Sequence, residues 1–144
     1  MSTSGALSRI DALLSDISDP AFTSVLRGEP LAISGSPLLA YWITGRTDDF
    51  ETLGDIGSRT SMLIRAYFRM QDSQDVRETL EEEVWDAMVQ VDTKLRSDAD
   101  LAGNVTDSNV GTATVGYITM GGAVFRAVSI PFEVEILGEI TITP

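Results

Sequence analysis

The most regular pattern of apolar and polar positions in the chain spans residues 73–97 and predicts an amphipathic helix. Large apolar side chains recur there at steps of three and four residues, the spacing that stacks them on one face of a helix. They are Val76, Leu80, Val84, Met88 (or Ala87), Val91 and Leu95. Trp85 lies beside this row and is expected to widen the buried face, whereas Glu82 is expected in solvent. An alanine at position 85 is therefore expected to be among the most damaging single changes, and an alanine at position 82 to be nearly silent.

The N-terminal region predicts a second amphipathic helix, whose apolar side chains are Leu7, Ile10, Leu13, Leu14 and Ile17. Pro20 is expected to end it, because the residue before a proline avoids the helical conformation. Phe22, Val25 and Leu26 indicate one further helical turn. Residues 29–37 contain two prolines and a glycine and predict an irregular connection.

Four stretches predict β-strands: residues 38–44, 60–70, 109–120 and 124–137. The first is rich in β-branched and aromatic residues, and the second alternates with a period of two. The last two flank Gly121-Gly122, a pair that is typical of the tight turn in an antiparallel hairpin. Pro131 cannot donate a backbone hydrogen bond, so we expect a free edge or a bulge at that position.

The order of elements, α-β-β-α-β-β, predicts an α+β fold in a single domain that covers residues 1–144. In this fold a four-stranded, mostly antiparallel sheet packs on one face against both helices. Residues 45–58 are polar and predict a long hairpin loop or a strand extension beyond the sheet. Residues 138–144 are expected to form a C-terminal tail.

The second face of the predicted sheet has no helix left to cover it. It carries Arg65, Tyr67 and Arg69, which alternate with the buried positions of the second strand. This face therefore meets either water or another molecule. The alternation of Ile140 and Ile142 in the tail likewise suits contact with another subunit.

The composition narrows the classes of function. The net charge is −12, from 22 acidic and 10 basic residues, which disfavours tight binding to nucleic acids and to anionic membranes. Histidine and cysteine are both absent, so the commonest general base, the thiol nucleophile and the thiolate metal site are excluded. The sequence has no apolar run long enough to span a bilayer and no signal for secretion, which favours a protein that acts or is assembled in the cytoplasm.

Few residues in the sequence are candidates for catalysis or metal binding. Glu78, Glu82 and Asp86 follow one helical edge, and residues 81–83 are consecutive carboxylates, which could hold a hard cation. A solvated helix face explains the same run of charges. The single lysine, Lys94, lies at a helix end, where it matches the dipole. We therefore expect no enzyme, metal or cofactor, with a metal-dependent hydrolase as the weakest alternative.

Several local sequences combine with the N-terminal helix and the order of elements into one pattern over nearly the whole chain. They are Ala40-Tyr41-Trp42-Ile43, residues 65–69, Val84-Trp85-Asp86-Ala87, Leu101-Ala102-Gly103, the hairpin 117–125 and the strand 130–136. This pattern resembles the tail terminator (tail completion) proteins of long-tailed bacteriophages. The resemblance implies an α+β subunit of a hexameric ring that caps the tail tube, stops its polymerisation and docks to the head-side connector protein. It implies a virion protein of the tail neck, assembled in the host cytoplasm, whose lumen passes DNA without binding it specifically.

Two sets of residues are candidates for contacts in such a ring. Those expected to face the lumen or the tail tube protein are Asp48, Asp49, Phe50, Glu51, Leu53 and Asp55. Those expected at subunit contacts are Arg65, Tyr67, Arg69, Ile140 and Ile142. The alternative to a ring is a small non-catalytic α+β domain that binds a ligand or a protein.

Overall fold

The computed structural model describes residues 3–33, 35–50, 56–70 and 74–137. Over these ranges the elements are α1 (Thr3–Ser15), β1 (Ser24–Arg27), β2 (Leu38–Phe50), β3 (Ile56–Arg69), α2 (Gln74–Arg96), β4 (Asp107–Val110), β5 (Thr114–Met120) and β6 (Ala123–Leu137). The strands form one mostly antiparallel sheet in the order β1-β2-β3-β6-β4, and β5 also pairs with β6. The expected α+β class with two helices is confirmed. The expected number of four strands is wrong, because this part of the chain contains six.

The first additional strand is β1, which pairs parallel to β2 from Ser24 opposite Leu38 to Arg27 opposite Tyr41. The N–H of Gly28 donates to the carbonyl of Tyr41 at 2.8 Å and extends this pairing. The further helical turn expected around Val25 is therefore wrong. One isolated turn leaves most of its backbone groups without partners, whereas the edge of β2 supplies partners for a four-residue segment.

The second additional strand arises because residues 109–120 form two strands instead of one. β4 pairs with the second half of β6, and β5 pairs with its first half. The interruption falls at Pro131, whose carbonyl accepts the N–H of Gly111 at 2.8 Å but which has no N–H to donate in return. Of the two alternatives expected at Pro131, a free edge or a bulge, the structure matches the free edge, because neither β4 nor β5 pairs with this residue. The tight turn expected at Gly121-Gly122 is confirmed, and both residues have positive φ angles, of 59° and 79°.

The main core lies between one face of the sheet and both helices, as expected. α1 contributes Ala6, Ile10, Leu13 and Leu14, and α2 contributes Leu80, Val84, Ala87, Val91 and Leu95. Alternate residues of β2, β3 and β6 meet them from the sheet, among them Leu39, Ile64, Phe68, Val128 and Ile130. Burial of each large side chain in such a core contributes about 1.5–3 kcal/mol.

The expected position of Trp85 is wrong. Its side chain is 69% exposed, although Val84 beside it is buried. Successive residues of a helix point about 100° apart, so the buried row does not extend as far as Trp85. Glu82 is exposed, as expected.

The turn after α2 contains three consecutive residues in the left-handed region, with φ angles of 49° for Leu101, 58° for Ala102 and 81° for Gly103. Asp98 stabilises this turn through both carboxylate oxygens. Its Oδ1 accepts the N–H of Ala102 at 3.2 Å, and its Oδ2 accepts from Arg9 Nε at 2.6 Å. Because Arg9 belongs to α1, these contacts join the left-handed turn to the first helix.

The second face of the sheet carries a smaller core of its own. Leu38, Ala40, Tyr67 and Phe125 are almost fully buried there, and Ile33 packs against them. Ile33, in the connection before β2, therefore covers part of the face that was expected to be uncovered.

Candidate interaction surfaces

The hairpin of β2 and β3 forms the first candidate surface. The two strands pair from Leu38 opposite Tyr67 to Phe50 opposite Ile56, with a bulge between Ile43 and Gly45. Most of the expected loop over residues 45–58 is therefore strand, so the structure matches the strand-extension alternative there. We call residues 45–50 and 56–61 the arm. Glu51, Leu53 and Asp55 lie outside the described residues.

One side of the arm has no neighbouring strand among the described residues. β1 ends at Arg27, opposite Tyr41, whereas β2 continues to Phe50. On the other side, β6 follows β3 as far as Gly57 opposite Leu137. We call residues 42–50 the open edge of β2. Ile43, at its start, is 56% exposed.

The described charges of the arm are mixed. The carboxylate of Asp48 lies 3.1 Å from the guanidinium of Arg46, and both side chains are about half exposed. Arg59 Nε lies 4.0 Å from carboxylate oxygens of both Glu133 and Glu135 on β6. Such exposed pairs contribute about 0–1 kcal/mol each. The arm therefore carries exposed arginine side chains as well as carboxylates, whereas the charged residues expected there from the sequence were all carboxylates.

The three residues expected on the second face differ in exposure. Arg65 is half-buried. Its guanidinium lies 5.4 Å from the centre of the Trp42 ring, and its Nε donates to Ser129 Oγ at 2.9 Å. Arg69 is exposed.

Tyr67 is 1% exposed, so its assignment as a subunit contact is wrong. Burial raises the pKa of its phenol, an effect that the hydrogen bond with Arg65 partly offsets. The physical reason for the error is the small core of the second face, in which Tyr67 packs with Leu38, Ala40 and Phe125 and against which Ile33 also packs. Ile140 and Ile142, the other expected contacts, lie outside the described residues.

A further surface, which the sequence did not indicate, lies between α2 and β5. Trp85 is 69% exposed and Tyr117 is 63% exposed, and Val89 and Val115 are also exposed. Val115 and Tyr117 lie opposite Val128 and Arg126 in the β5–β6 register, so they share the face of the sheet on which the helices pack. We call Trp85, Val89, Val115 and Tyr117 the α2–β5 shelf. The angular offset of Trp85 from the apolar row was the available signal for it.

Arg126 connects the two sides of the shelf. Its Nη1 donates to the Tyr117 hydroxyl at 2.7 Å, and its Nη2 lies 3.1 Å from a carboxylate oxygen of Glu81 on α2. The guanidinium also lies 5.0 Å from the centre of the Tyr117 ring. These contacts hold Tyr117 beside the helix, one turn from Trp85.

Two concave regions lie along α2, one on its exposed side and the other between the helix and the strands β4 and β6. One, of about 450 Å³, is lined by Glu81, Glu82, Trp85 and Asp86. The other, of about 320 Å³, is a groove lined by Met88, Val89, Asp92, Thr93, Val110, Gly111, Ala113 and Ile130. Carboxylates and apolar side chains therefore lie next to one another in both regions along α2.

In comparisons with known proteins, no protein-family model matches the chain, and no curated protein matches it significantly. Over the described ranges, no group of three or more acidic residues is placed to hold a metal ion. None of the helices, as far as they are described, is long and apolar enough to cross a membrane.

Proposed function

We propose that this chain is a non-catalytic structural subunit that assembles into a ring, and that the ring ends the tail tube of a long-tailed bacteriophage. The observation that carries the proposal is the open edge of β2. Its nine residues would extend for about 30 Å with backbone groups available to another chain. Soluble monomers usually keep such edges short or covered, so this length favours lateral contact between copies. The resemblance to tail terminator proteins supplies the biological setting.

A closed ring requires two different contact surfaces on each subunit, because its contacts are head to tail. The open edge of β2 is one of them. The other is the exposed part of the second face, around Arg65 and Arg69, whose positive charge suits the acidic residues of the arm. We propose that the C-terminal tail, with Ile140 and Ile142, contributes to the same subunit contact.

In this proposal, the segment 48–55, which we call the tip of the arm, faces the lumen or the tail tube protein. In the lumen, the carboxylates of Asp48, Asp49, Glu51 and Asp55 would repel the phosphates of passing DNA over a distance of about 8–10 Å at physiological salt. Against the tube, Phe50 and Leu53 would provide apolar contacts. The opposite side of the ring docks to the head-side connector protein, which places the ring in the neck of the virion after assembly in the host cytoplasm.

The ring is tested by the mass of the chain, alone and mixed with purified tail tubes. We expect a closed oligomer of about six subunits in at least one of the two samples. Ile43→Asp places a charge at the start of the open edge and should leave only monomer. The matched control is Leu31→Asp, which changes a leucine that is 97% exposed and does not belong to that edge. A wild-type monomer in both samples contradicts the proposal.

The arm is tested by replacing residues 48–55 with a short Gly/Asn turn. Folding alone tolerates a short connection between antiparallel strands, so the variant should melt near the wild-type temperature. Particles that carry it should have overlong tails or tails that are not joined to heads. Tails of normal length on infectious particles would show that the tip has no part in assembly.

The second candidate function is a non-catalytic protein-binding domain, which the exposed α2–β5 shelf favours. A stable monomer that binds a partner only through this shelf is the outcome that separates it from the ring.

A further inference from the structure

The two helices do not cover the whole of the sheet face on which they pack. α2 packs on β3, β4 and β6. β5 continues the same face of the sheet beyond α2, and its side chains Val115 and Tyr117 are exposed there. In α+β domains such a face is normally covered by a further helix. Within the described residues, this part of the layer is uncovered.

The uncovered region has the composition of a binding surface. Trp85 and Tyr117 are large aromatic side chains that present most of their area to solvent, and the groove of about 320 Å³ continues from them along Val89. Aromatic residues in such positions provide most of the binding energy in protein interfaces. Arg126 already holds Tyr117 in place, so little side-chain entropy remains to be lost on binding.

The acidic residues around the shelf indicate which kind of partner would bind there. Glu82 and Asp86 line the hollow beside Trp85. Glu81 and Asp92 line the same hollow and the groove, respectively, but they already pair with Arg126 and Arg96 of the same chain. A partner that carries lysine or arginine next to apolar side chains complements this arrangement.

A second copy of the chain is a poor occupant. The chain has only 10 basic residues and a net charge of −12. At least six of the basic residues already pair with carboxylates of the same chain in the described ranges; they are Arg9, Arg46, Arg59, Lys94, Arg96 and Arg126. Neither helix of another copy carries a row of basic residues, because α1 contains only Arg9 and α2 contains three basic residues among seven carboxylates.

We infer that the α2–β5 shelf docks a cationic amphipathic helix of a different protein. The seven residues of β5 would extend for about 23 Å, which corresponds to a helix of about 15 residues. The apolar stripe of the docked helix packs on Trp85 and Tyr117, and its basic residues lie along Glu82 and Asp86. The inference is independent of ring assembly, because it uses neither the arm nor the open edge of β2.

The probe is a helical peptide of about 18 residues with leucine on one face and lysine on the other, and its matched control carries glutamate in place of lysine. Titration into the isotope-labelled protein, followed by NMR, should give saturable shifts of the Trp85 indole N–H and of Tyr117 and Val89. The glutamate peptide should leave these resonances unchanged. Trp85→Ala should weaken binding of the lysine peptide by at least about tenfold, and Leu31→Ala, a control at another exposed apolar residue, should change it by less than about twofold.

A double substitution tests the charges directly. Glu82→Lys with Asp86→Lys should exchange the preference, so that the glutamate peptide binds and the lysine peptide does not. Equal binding of both peptides, or shifts confined to residues away from the shelf, would overturn the inference. An oligomer that Trp85→Ala converts into a monomer would also overturn it, because a second copy would then occupy the shelf.

Discussion

At the scale of single residues, Val84 and Trp85 are adjacent in sequence but differ in environment. The apolar row of α2 indicated correctly that Val84 is buried, because the row is defined by spacing. The expectation that Trp85 widens the buried face depends on its place next to this row in the sequence, and adjacency in sequence does not specify direction. A residue 100° from its neighbour points to the flank of the helix, which here faces β5. Spacing was therefore the better guide of the two.

The exposure of Trp85 reverses the expected effect of its truncation. Trp85→Ala should lower the free energy of unfolding by less than about 1 kcal/mol, since little buried area is lost. Leu95→Ala, on the fully buried row of the same helix, should cost about 2–5 kcal/mol. Urea unfolding of both variants checks the difference, and similar losses for the two would contradict the exposed position of Trp85.

At the scale of elements, the long periodic segments were predictable and the short ones were not. The row on α2 covers more than five turns, and the alternation in β3 and β6 covers most of each strand. β1 and β4 have only four residues each, too few to establish a period. Their state depends on which strand edge they meet, and the edge of β2 beside Val25 comes from residues more than ten positions away.

The attachment of α1 to the turn after α2 predicts a dependence on pH. The hydrogen bond from Arg9, together with the N–H of Ala102, lowers the pKa of Asp98 below its ordinary value. Because the folded-state pKa lies below that of the unfolded chain, this stabilisation is present above about pH 4 and is lost as the pH falls through the folded-state pKa.

Asp98→Asn should therefore lower the free energy of unfolding by about 1 kcal/mol near pH 7, and the difference from wild type should shrink near pH 3. Urea unfolding at the two pH values measures it. Asp16→Asn is the control, because Asp16 also pairs with a basic residue, Lys94, but is itself largely exposed and should have a smaller effect. A difference for Asp98→Asn that is unchanged at low pH would show that the carboxylate charge is not its cause.

At the scale of the whole molecule, the fold class and the two-helix layer could be predicted, but the contact surfaces could not. The sequence predicts Tyr67 on an uncovered face, because Ile33, which packs against the core around Tyr67, lies in a connection without a periodic pattern. Similarly, the open edge of β2 exists only because β1 is shorter than β2. Both features depend on where elements end in space, which residue patterns do not encode.

The net charge of −12 predicts how assembly responds to salt. Identical acidic subunits repel one another, and added salt screens this repulsion as the Debye length falls. Ring formation should therefore increase as sodium chloride is raised from about 20 mM to about 500 mM. Sedimentation velocity at fixed protein concentration measures the effect. A ring that dissociates over this range would indicate that ion pairs, instead of the strand edge, hold the subunits together.

The left-handed run at Leu101, Ala102 and Gly103 has a consequence for chirality. A backbone with positive φ costs an L-residue about 1–2 kcal/mol, but it is the ordinary helical region for a residue of mirror-image configuration. In a protein assembled by chemical ligation, D-alanine at position 102 keeps the N–H that bonds to Asp98 and removes this cost. We expect it to raise the free energy of unfolding by about 1 kcal/mol, whereas D-alanine in place of Ala99, whose φ is negative, should lower it. The configuration of one α-carbon thus changes the stability of the turn that joins both helices, although the side chain remains the same.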